Sequence, residues 1–197
     1  MKILITGATG TVGGFIVDEL LASGYQVRCL VRQLEKGKTL QGKGCELYMG
    51  DAAQRDTLHR APEGCDAVIH LAAIITEKPR QAITFERINY QAAVNMVDVC
   101  QAQGLSRFLH MSALGADPTS RSAYQRSKGA GEALVRESGW QASADPGTLG
   151  GAKLTARRGM QVTVFRPSVI FGPGDSFLNL FGRLLKLLPV VPLACPD

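Results

Sequence analysis

Two side chains that could exchange a proton with a substrate lie four residues apart in the segment SAYQRSKGAGEALV. They are Tyr124 and Lys128, and on a helix this spacing places both on one face. A free phenol titrates near pH ~10, and a neighbouring ammonium group favours the phenolate, so we expect Lys128 to lower the pKa of Tyr124. A tyrosine tuned in this way can pass a proton to or from a substrate oxygen. Ser112 lies upstream of this motif, at the end of an apolar segment, and could donate a hydrogen bond to the same oxygen.

This spacing also occurs by chance on ordinary helix surfaces, so the surrounding chain has to support a catalytic role. The amino terminus does so with MKILITGATGTVGG, in which an apolar strand runs into glycines and then into an apolar-periodic helix. Gly7, Gly10 and Gly13 would let the backbone turn tightly and approach a pyrophosphate at the helix N-terminus. The alternative is a strand-to-helix turn that needs glycine only for its geometry. A strand before the loop and a helix after it favour dinucleotide binding.

The second predicted strand ends in a basic residue where an NAD site would usually carry Asp or Glu. Arg32 is at this position, with Lys36 close by. A guanidinium suits a 2′-phosphate because it donates paired, charge-assisted hydrogen bonds, so NADP(H) is favoured over NAD(H). A solvated surface arginine is the alternative, and Glu35 could still serve NAD.

Two further strand ends carry candidate cofactor contacts. Gly50 and Asp51 follow the third strand, where the carboxylate could accept a hydrogen bond from an adenine amine, or simply form a Gly-Asp turn. Ala72 and Ala73 follow the fourth strand, where small residues let the backbone lie against a flat cofactor. His70 precedes them, and we interpret it as a buried or hydrogen-bonded structural histidine rather than a catalytic one.

Alternating strand-like and helix-like segments must position these residues. We predict strands over residues 2–6, 26–31, 45–49, 67–71, 108–111 and 161–165. We predict helices over residues 11–23, 85–103, 122–138 and 177–188, with a short helix over residues 54–60. Such alternation indicates an α/β fold with a Rossmann-like, doubly wound parallel sheet, helices on both faces and ligands at the carboxyl ends of the strands.

The chain of 197 residues, with 45% hydrophobic and 20% charged residues, predicts one globular domain. A net charge of +5 without any Lys/Arg run, together with few aromatic residues, argues against nucleic-acid binding. The cysteines and histidines show no metal-ligand spacing, so no metal site and no disulfide framework are expected. Five cysteines, an odd number without a C-x-x-C pair, are typical of reduced thiols in a cytoplasmic protein. No signal peptide and no apolar run long enough to span a membrane are seen.

Two parts of the chain are less regular. Residues 141–160 are rich in Gly, Ala and basic residues, and we expect an inserted, mobile surface loop there. Residues 177–188 form a broad apolar face that we expect to contact a second copy of the chain or another protein.

Taken together, GATGTVG, HLAA, the serine after the fifth strand and YQRSK resemble the short-chain dehydrogenase/reductase superfamily, in its extended or atypical branch. RPSVIFGPGDSFLNLF and SALGADP are similar to bacterial relatives of the mitochondrial complex I 39-kDa subunit. The resemblance implies that residues 1–197 form an NAD(P)-binding domain, with residues 172–197 beginning a substrate domain that is largely absent.

The resemblance also implies a role for individual residues. Ser112, Tyr124 and Lys128 match the catalytic set, and Asn89 matches an asparagine near the active centre. The implied cofactor-binding residues are Gly7, Thr9, Gly10, Thr11, Val12, Gly13, Arg32, Gly50, Asp51, Ala72, Ala73, Tyr124, Lys128, Pro167, Ser168 and Val169.

Three functions remain open at this point. The first is an NADP(H)-dependent oxidoreductase acting on a carbonyl or hydroxyl group of a small molecule, with a quinone-pathway compound among the candidates. The second is a non-catalytic NADP(H)-binding protein that acts in assembly or redox sensing. The third is a nucleotide-sugar epimerase or dehydratase, which would use the same residues.

Overall fold

The computed structural model describes residues 1–139 and 159–173, and within them it contains a single six-stranded parallel sheet. The strands are β1 (Lys2–Thr6), β2 (Gln26–Val31), β3 (Glu46–Met49), β4 (Ala67–His70), β5 (Arg107–Met111) and β6 (Gln161–Phe165). Their order across the sheet is β3-β2-β1-β4-β5-β6. The order reverses between β1 and β4, and in open α/β sheets ligands bind outside the carboxyl ends of the strands at such a point.

Four α-helices connect the strands and cover the sheet. They are α1 (Thr11–Ala22), α2 (Leu34–Gly42), α3 (Ala92–Ala102) and α4 (Ala123–Gly139). Shorter helical turns are a π-helical segment at Glu86–Gln91 and 3₁₀ turns at Arg55–Thr57 and Pro79–Gln81.

The core has two layers because alternate strand residues point to opposite faces of the sheet. On one face Ile3, Ile5 and Cys29 pack with Val17 of α1 and Leu40 of α2. On the other face, Leu4, Val68 and Phe108 pack with Met96 of α3 and Val135 of α4. The predicted doubly wound sheet with helices on both faces is therefore confirmed.

Several predicted boundaries change. Helix α2 was missed, since LEKGKTLQG holds two glycines and only Gly37 and Leu40 are buried. The short helix predicted over residues 54–60 is a 3₁₀ turn at Arg55–Thr57, and the helix predicted over residues 85–103 begins with the π-helical segment.

The chain divides into two compact units, Met1–Pro167 and Ser168–Asp197. The inserted loop predicted over residues 141–160 and the apolar helix predicted over residues 177–188 lie almost entirely outside the described residues. In the described part of the chain, no helix is both long and apolar enough to cross a membrane.

Candidate functional site

A crevice of about 560 Å³ opens at the carboxyl ends of the first four strands. It gathers residues from four separate strand-to-helix connections. Among the residues that line it are these, all predicted to bind the cofactor: Gly7, Thr9, Gly10, Thr11, Val12, Gly13, Arg32, Gly50, Asp51, Ala72 and Ala73.

The glycines of the first loop permit backbone contacts that side chains would prevent. Gly7 has a positive φ of 76°, and a Cβ there would lie 3.0 Å from the backbone nitrogen of Ala72. A Cβ at Gly13 would lie 2.2 Å from the carbonyl oxygen of Gly7, well inside contact distance. Gly10 N–H donates a 3.0 Å hydrogen bond to the same carbonyl and closes the turn. The crevice is therefore walled by backbone at this point.

Helix α1 begins at Thr11, immediately after this turn. Its N-cap is Gly10, so no side-chain oxygen caps it, and no acidic residue lies in its first turn. The aligned peptide dipoles of a helix place partial positive charge at this end, which favours a bound anion.

Thr6 fixes the backbone that forms the floor of the crevice. Its Oγ1 accepts 3.2 Å hydrogen bonds from the N–H groups of Leu71 and Ala72, and it lies 2.8 Å from Nδ1 of His70. Because the hydroxyl oxygen already accepts from two amides, its own proton points to the histidine nitrogen. The threonine at the end of β1 thereby sets the position of Ala72.

The two histidines at neighbouring strand ends form a buried pair. The rings of His70 and His110 stack with centroids 5.6 Å apart. Burial lowers the pKa of His70 well below its usual value, helped by His110 and Lys128, and it lowers the pKa of His110 to about 3. Both rings are thus neutral at pH 7. His70 is buried and hydrogen-bonded, as the interpretation of a structural histidine requires.

At the end of the crevice formed by β2 and β3, Arg32 is exposed directly after β2. The Asp51 carboxylate accepts a 3.0 Å hydrogen bond from the Ala53 N–H and lies 3.5 Å from the Arg87 guanidinium. Glu35, the acidic alternative for an NAD ribose, forms an exposed ion pair of 2.6 Å with Lys38.

The tyrosine and lysine of the YxxxK motif are both on α4, as predicted, but the lysine ammonium is bound to a neighbouring strand. Lys128 Nζ donates a 2.6 Å hydrogen bond to the carbonyl of Met111, the last residue of β5. Burial raises the pKa of Tyr124, so the predicted lowering by Lys128 is wrong for this structure. The physical reason is that the ammonium is held by the strand end, while the phenol ring packs edge-on to Phe85 at 5.8 Å. Burial also disfavours the charged form of Lys128, so its pKa falls to about 8 although Glu132 acts in the opposite direction.

Ser112 follows Met111 and faces a carboxylate that the sequence analysis did not identify. Glu132 is 1% exposed and accepts hydrogen bonds from Arg136 at 2.6 Å and Arg166 at 2.7 Å. Burial alone would raise its pKa, but Arg166, Ser112 and Arg136 together lower it to about 2. The Ser112 hydroxyl is buried and makes no hydrogen bond of good geometry within residues 1–139 and 159–173. The signal available in the sequence was the four-residue spacing of Lys128, Glu132 and Arg136.

Asn89 connects two parts of the site. Its amide donates hydrogen bonds of 3.1 Å to the Ile74 carbonyl and to Ser127 Oγ, and its Oδ1 accepts a 2.8 Å bond from Ile74 N–H. Ser127 in turn donates to the Tyr124 carbonyl at 2.8 Å. In this structure the predicted catalytic residue Asn89 therefore positions the loop after β4 relative to α4.

The predicted contacts beyond β6 fall on either side of a unit boundary. The Pro167 carbonyl accepts a 2.8 Å hydrogen bond from Leu114 N–H, just after Ser112. Ser168 and Val169 belong to the second unit, and their contact with a cofactor stays a prediction. In the described ranges no three His, Cys, Asp or Glu side chains cluster as metal ligands.

The crevice has the features that a dinucleotide requires. The loop at Gly7 and Gly13 leaves the backbone bare where a pyrophosphate would lie, at the positive end of α1. Arg32 adds positive charge beyond it, and the small side chains of Ala72 and Ala73 leave room for a flat ring system.

Comparison with known proteins gives a consistent assignment. The profile of the NAD dependent epimerase/dehydratase family matches residues 3–186. The chain is 34% identical over 192 residues to a ceramide reductase of Caulobacter vibrioides, which is 97% of this chain and 53% of that protein. It is also 34% identical over 139 residues to the photosystem II assembly factor Ycf39 of Cyanophora paradoxa, covering 71% of this chain and 42% of that protein.

A solved structure of Pen from Bacillus thuringiensis superposes with a TM-score of 0.75 at 23% identity, covering 94% of this chain and 55% of that one. At that identity the likeness shows the fold alone. The chain spans about half the length of the curated relatives it matches.

Proposed function

Since the chain belongs to the NAD dependent epimerase/dehydratase family, we propose that it is an NADP(H)-dependent oxidoreductase that reduces a carbonyl group or oxidises the corresponding hydroxyl. One observation carries the proposal. The glycine-walled crevice and the Ser112, Tyr124 and Lys128 set lie at the carboxyl edge of the same sheet.

The cofactor would be held by groups already positioned for it. The turn at Gly7 and Gly13 and the start of α1 would bind the pyrophosphate, Asp51 the adenine amine and Arg32 the 2′-phosphate. When bound, the dinucleotide supplies or accepts the hydride. The preference for NADP(H) rests on Arg32 at the end of β2 and on Glu35 being paired with Lys38.

The protein's own residues would manage the substrate oxygen. Tyr124 would donate its phenolic proton to the carbonyl oxygen, and Ser112 would donate a hydrogen bond to the same atom. Because burial raises the pKa of Tyr124, the phenol is in its protonated form at pH 7, which suits carbonyl reduction. Lys128, with a pKa near 8, would supply positive charge behind the phenol and return a proton to it.

The relatives support a reductase. The ceramide reductase aligns with almost the whole of this chain, and its name is that of a reductase.

A second candidate function is favoured by a different relative. Ycf39 is named as an assembly factor for photosystem II and aligns with residues covering 71% of this chain. On this view the chain would bind NADP(H) and act on a protein partner without turnover. The apolar face at residues 177–188, a cytoplasmic location and the absence of nucleic-acid binding also stay predictions.

NADPH oxidation measured against a panel of aldehydes, ketones and quinones separates the two. We expect turnover that falls by roughly 10²–10⁴-fold in Tyr124→Phe, while NADPH affinity is kept. Tyr25→Phe is the matched control, because Tyr25 lies at the surface between α1 and β2. NADPH binding without turnover of any compound would favour the assembly role, and interconversion of UDP-sugars would favour the epimerase.

A further inference from the structure

The loop after β4 presents branched apolar side chains to the crevice. Ile74, Ile75, Ile83 and Ile88 line this side, and we refer to them as the isoleucine wall. The charged residues that line the crevice, within the described part of the chain, are Arg32 and Asp51. Arg32 follows β2, and Asp51 follows β3 and lies 3.5 Å from the guanidinium of Arg87, the residue before Ile88 of the wall.

The backbone that carries the wall is held by specific hydrogen bonds. The Asn89 side chain accepts a 2.8 Å hydrogen bond from the Ile74 N–H and donates a 3.1 Å hydrogen bond to the Ile74 carbonyl. Lys78 and Ile83 pair as an antiparallel bridge, with hydrogen bonds of 2.7 and 3.2 Å. The turn between them includes Ala82 in the left-handed region, at φ 54°, whose carbonyl accepts a bond from Arg87. A non-glycine residue keeps this conformation where the surrounding contacts enforce it.

The wall runs from the cofactor floor to the proton donor. At one end it continues from Ala72 and Ala73. At the other end it leads into Phe85, whose N–H donates a 2.6 Å bond to Glu77 and whose ring packs against Tyr124. A substrate whose carbonyl oxygen met Tyr124 would therefore have the rest of its length beside the isoleucine wall.

Ile75 shows that this surface is unusual for a loop. It is 71% exposed although its backbone is fixed by the adjoining Ile74 contacts. Ligand pockets combine such preformed apolar surface with a few polar groups that fix orientation, and under the proposed function Tyr124, whose ring packs on Phe85, takes that role. A nucleotide sugar would bring a diphosphate, whereas Arg87, the cation next to Ile88 of the wall, is already paired with Asp51 and bonded to the Ala82 carbonyl.

We propose that the isoleucine wall binds the hydrocarbon part of the substrate, so that the carbonyl compound this chain reduces carries an uncharged alkyl chain next to its reacting group. This assignment rests on the proposed function, since it takes Tyr124 as the proton donor. It goes further by naming the substrate class and the residues that select it.

Binding can be measured without turnover. The NADPH-loaded chain of 197 residues is titrated calorimetrically with straight-chain primary amides from butanamide to decanamide, which imitate aldehydes but are not reduced. We expect the Kd to fall about two- to fourfold with each added methylene group, as burial of apolar surface requires. Ile75→Ser and Ile83→Ser should each flatten this dependence. Leu34→Ser, which changes a 50% exposed leucine outside the crevice, should leave it unchanged.

A Kd that does not depend on chain length would overturn the inference, as would no binding of any amide. Equal effects of Ile75→Ser and Leu34→Ser, or tighter binding of UDP-glucose than of decanamide, would also overturn it. The first titration step with NADPH alone reports on the proposed function. If NADPH does not bind, the proposed function fails, whereas NADPH binding with a flat amide series removes the substrate assignment alone.

Discussion

Lys128 Nζ donates its 2.6 Å hydrogen bond to the carbonyl of Met111, so that α4 is tied to the end of β5 immediately before Ser112. The lysine is 2% exposed and has no carboxylate in direct contact, among the residues that the structure describes. Glu132, one turn further along α4, attracts the ammonium but is itself held by two arginines. Burial therefore dominates at both groups, since it lowers the pKa of Lys128 to about 8 and raises the pKa of Tyr124.

The buried lysine makes stability depend on pH in the alkaline range. Unfolding restores the ordinary pKa of about 10.5 to Lys128, whereas in the folded chain it is about 8. Between these values the unfolded chain binds more protons, so this group's contribution to stability rises with pH, by up to ~3 kcal/mol. We expect the free energy of urea unfolding of the wild type, minus that of Lys128→Met, to rise between pH 8 and 10.5. Parallel curves for the two proteins would contradict it.

The glycine pair at the start of α1 offers a matched test of the loop. Gly13→Ala places a methyl group 2.2 Å from the Gly7 carbonyl, whereas Gly14→Ala meets nothing within 4 Å. We expect Gly13→Ala to abolish NADPH binding and lower the Tm. Gly14→Ala should keep binding and add about 0.5–1 kcal/mol of stability, since alanine is the better helix former. Fluorescence titration and thermal melts check both, and equal NADPH affinity in the two variants would contradict the account.

Arg32 is expected to select the phosphorylated cofactor. A charge-assisted hydrogen bond contributes about 1.5–3 kcal/mol, so Arg32→Ala should weaken NADPH binding by roughly 10- to 100-fold and leave NADH binding almost unchanged. Arg107→Ala is the control, because Arg107 is an exposed arginine at the amino end of β5, away from the crevice. If Arg32→Ala affects the two cofactors equally, the preference for NADP(H) has another source.

The buried carboxylate of Glu132 predicts an acid transition. Its folded pKa of about 2 lies below its ordinary value of 4.5, so its stabilising contribution is present above pH 4.5 and is lost as the pH falls to 2. Glu132→Gln should lose about 1–3 kcal/mol at pH 7, because the amide cannot replace the buried carboxylate as acceptor of the charge-assisted hydrogen bonds from Arg136 and Arg166, and should lack this acid dependence. Glu35→Gln, at an exposed ion pair, should change stability by less than ~0.5 kcal/mol. Identical acid unfolding of Glu132→Gln and wild type would refute the assignment.

Local pattern was enough to predict the strands and the crevice. The bounds of β1, β2 and β6 match the predicted ones, because each is a compact apolar or alternating run. The residues of the glycine turn, Arg32 and Ala72 meet in one crevice because the carboxyl ends of parallel strands share an edge. These features depend on spacing along the chain, which a sequence displays directly.

Contacts between residues far apart in the chain could not be predicted from the sequence. Glu132 meets Arg166 across 34 positions, and Asn89 meets Ser127 across 38. The spacing correctly placed Lys128 and Tyr124 on one helix, yet the Lys128 ammonium binds the Met111 carbonyl, a contact that depends on how α4 packs on β5. The isoleucine wall likewise combines the loop after β4 with the bridge between Lys78 and Ile83.

The central claim is that the crevice at the end of β1 binds a dinucleotide, with its pyrophosphate at the start of α1. Isothermal calorimetry of the folded chain with NADPH and with NADH tests it most directly. We predict saturable binding of one nucleotide per chain, tighter for NADPH than for NADH, and lost in Gly13→Ala. Absence of measurable heat with either nucleotide at millimolar concentration, for a sample shown to be folded, would contradict the claim.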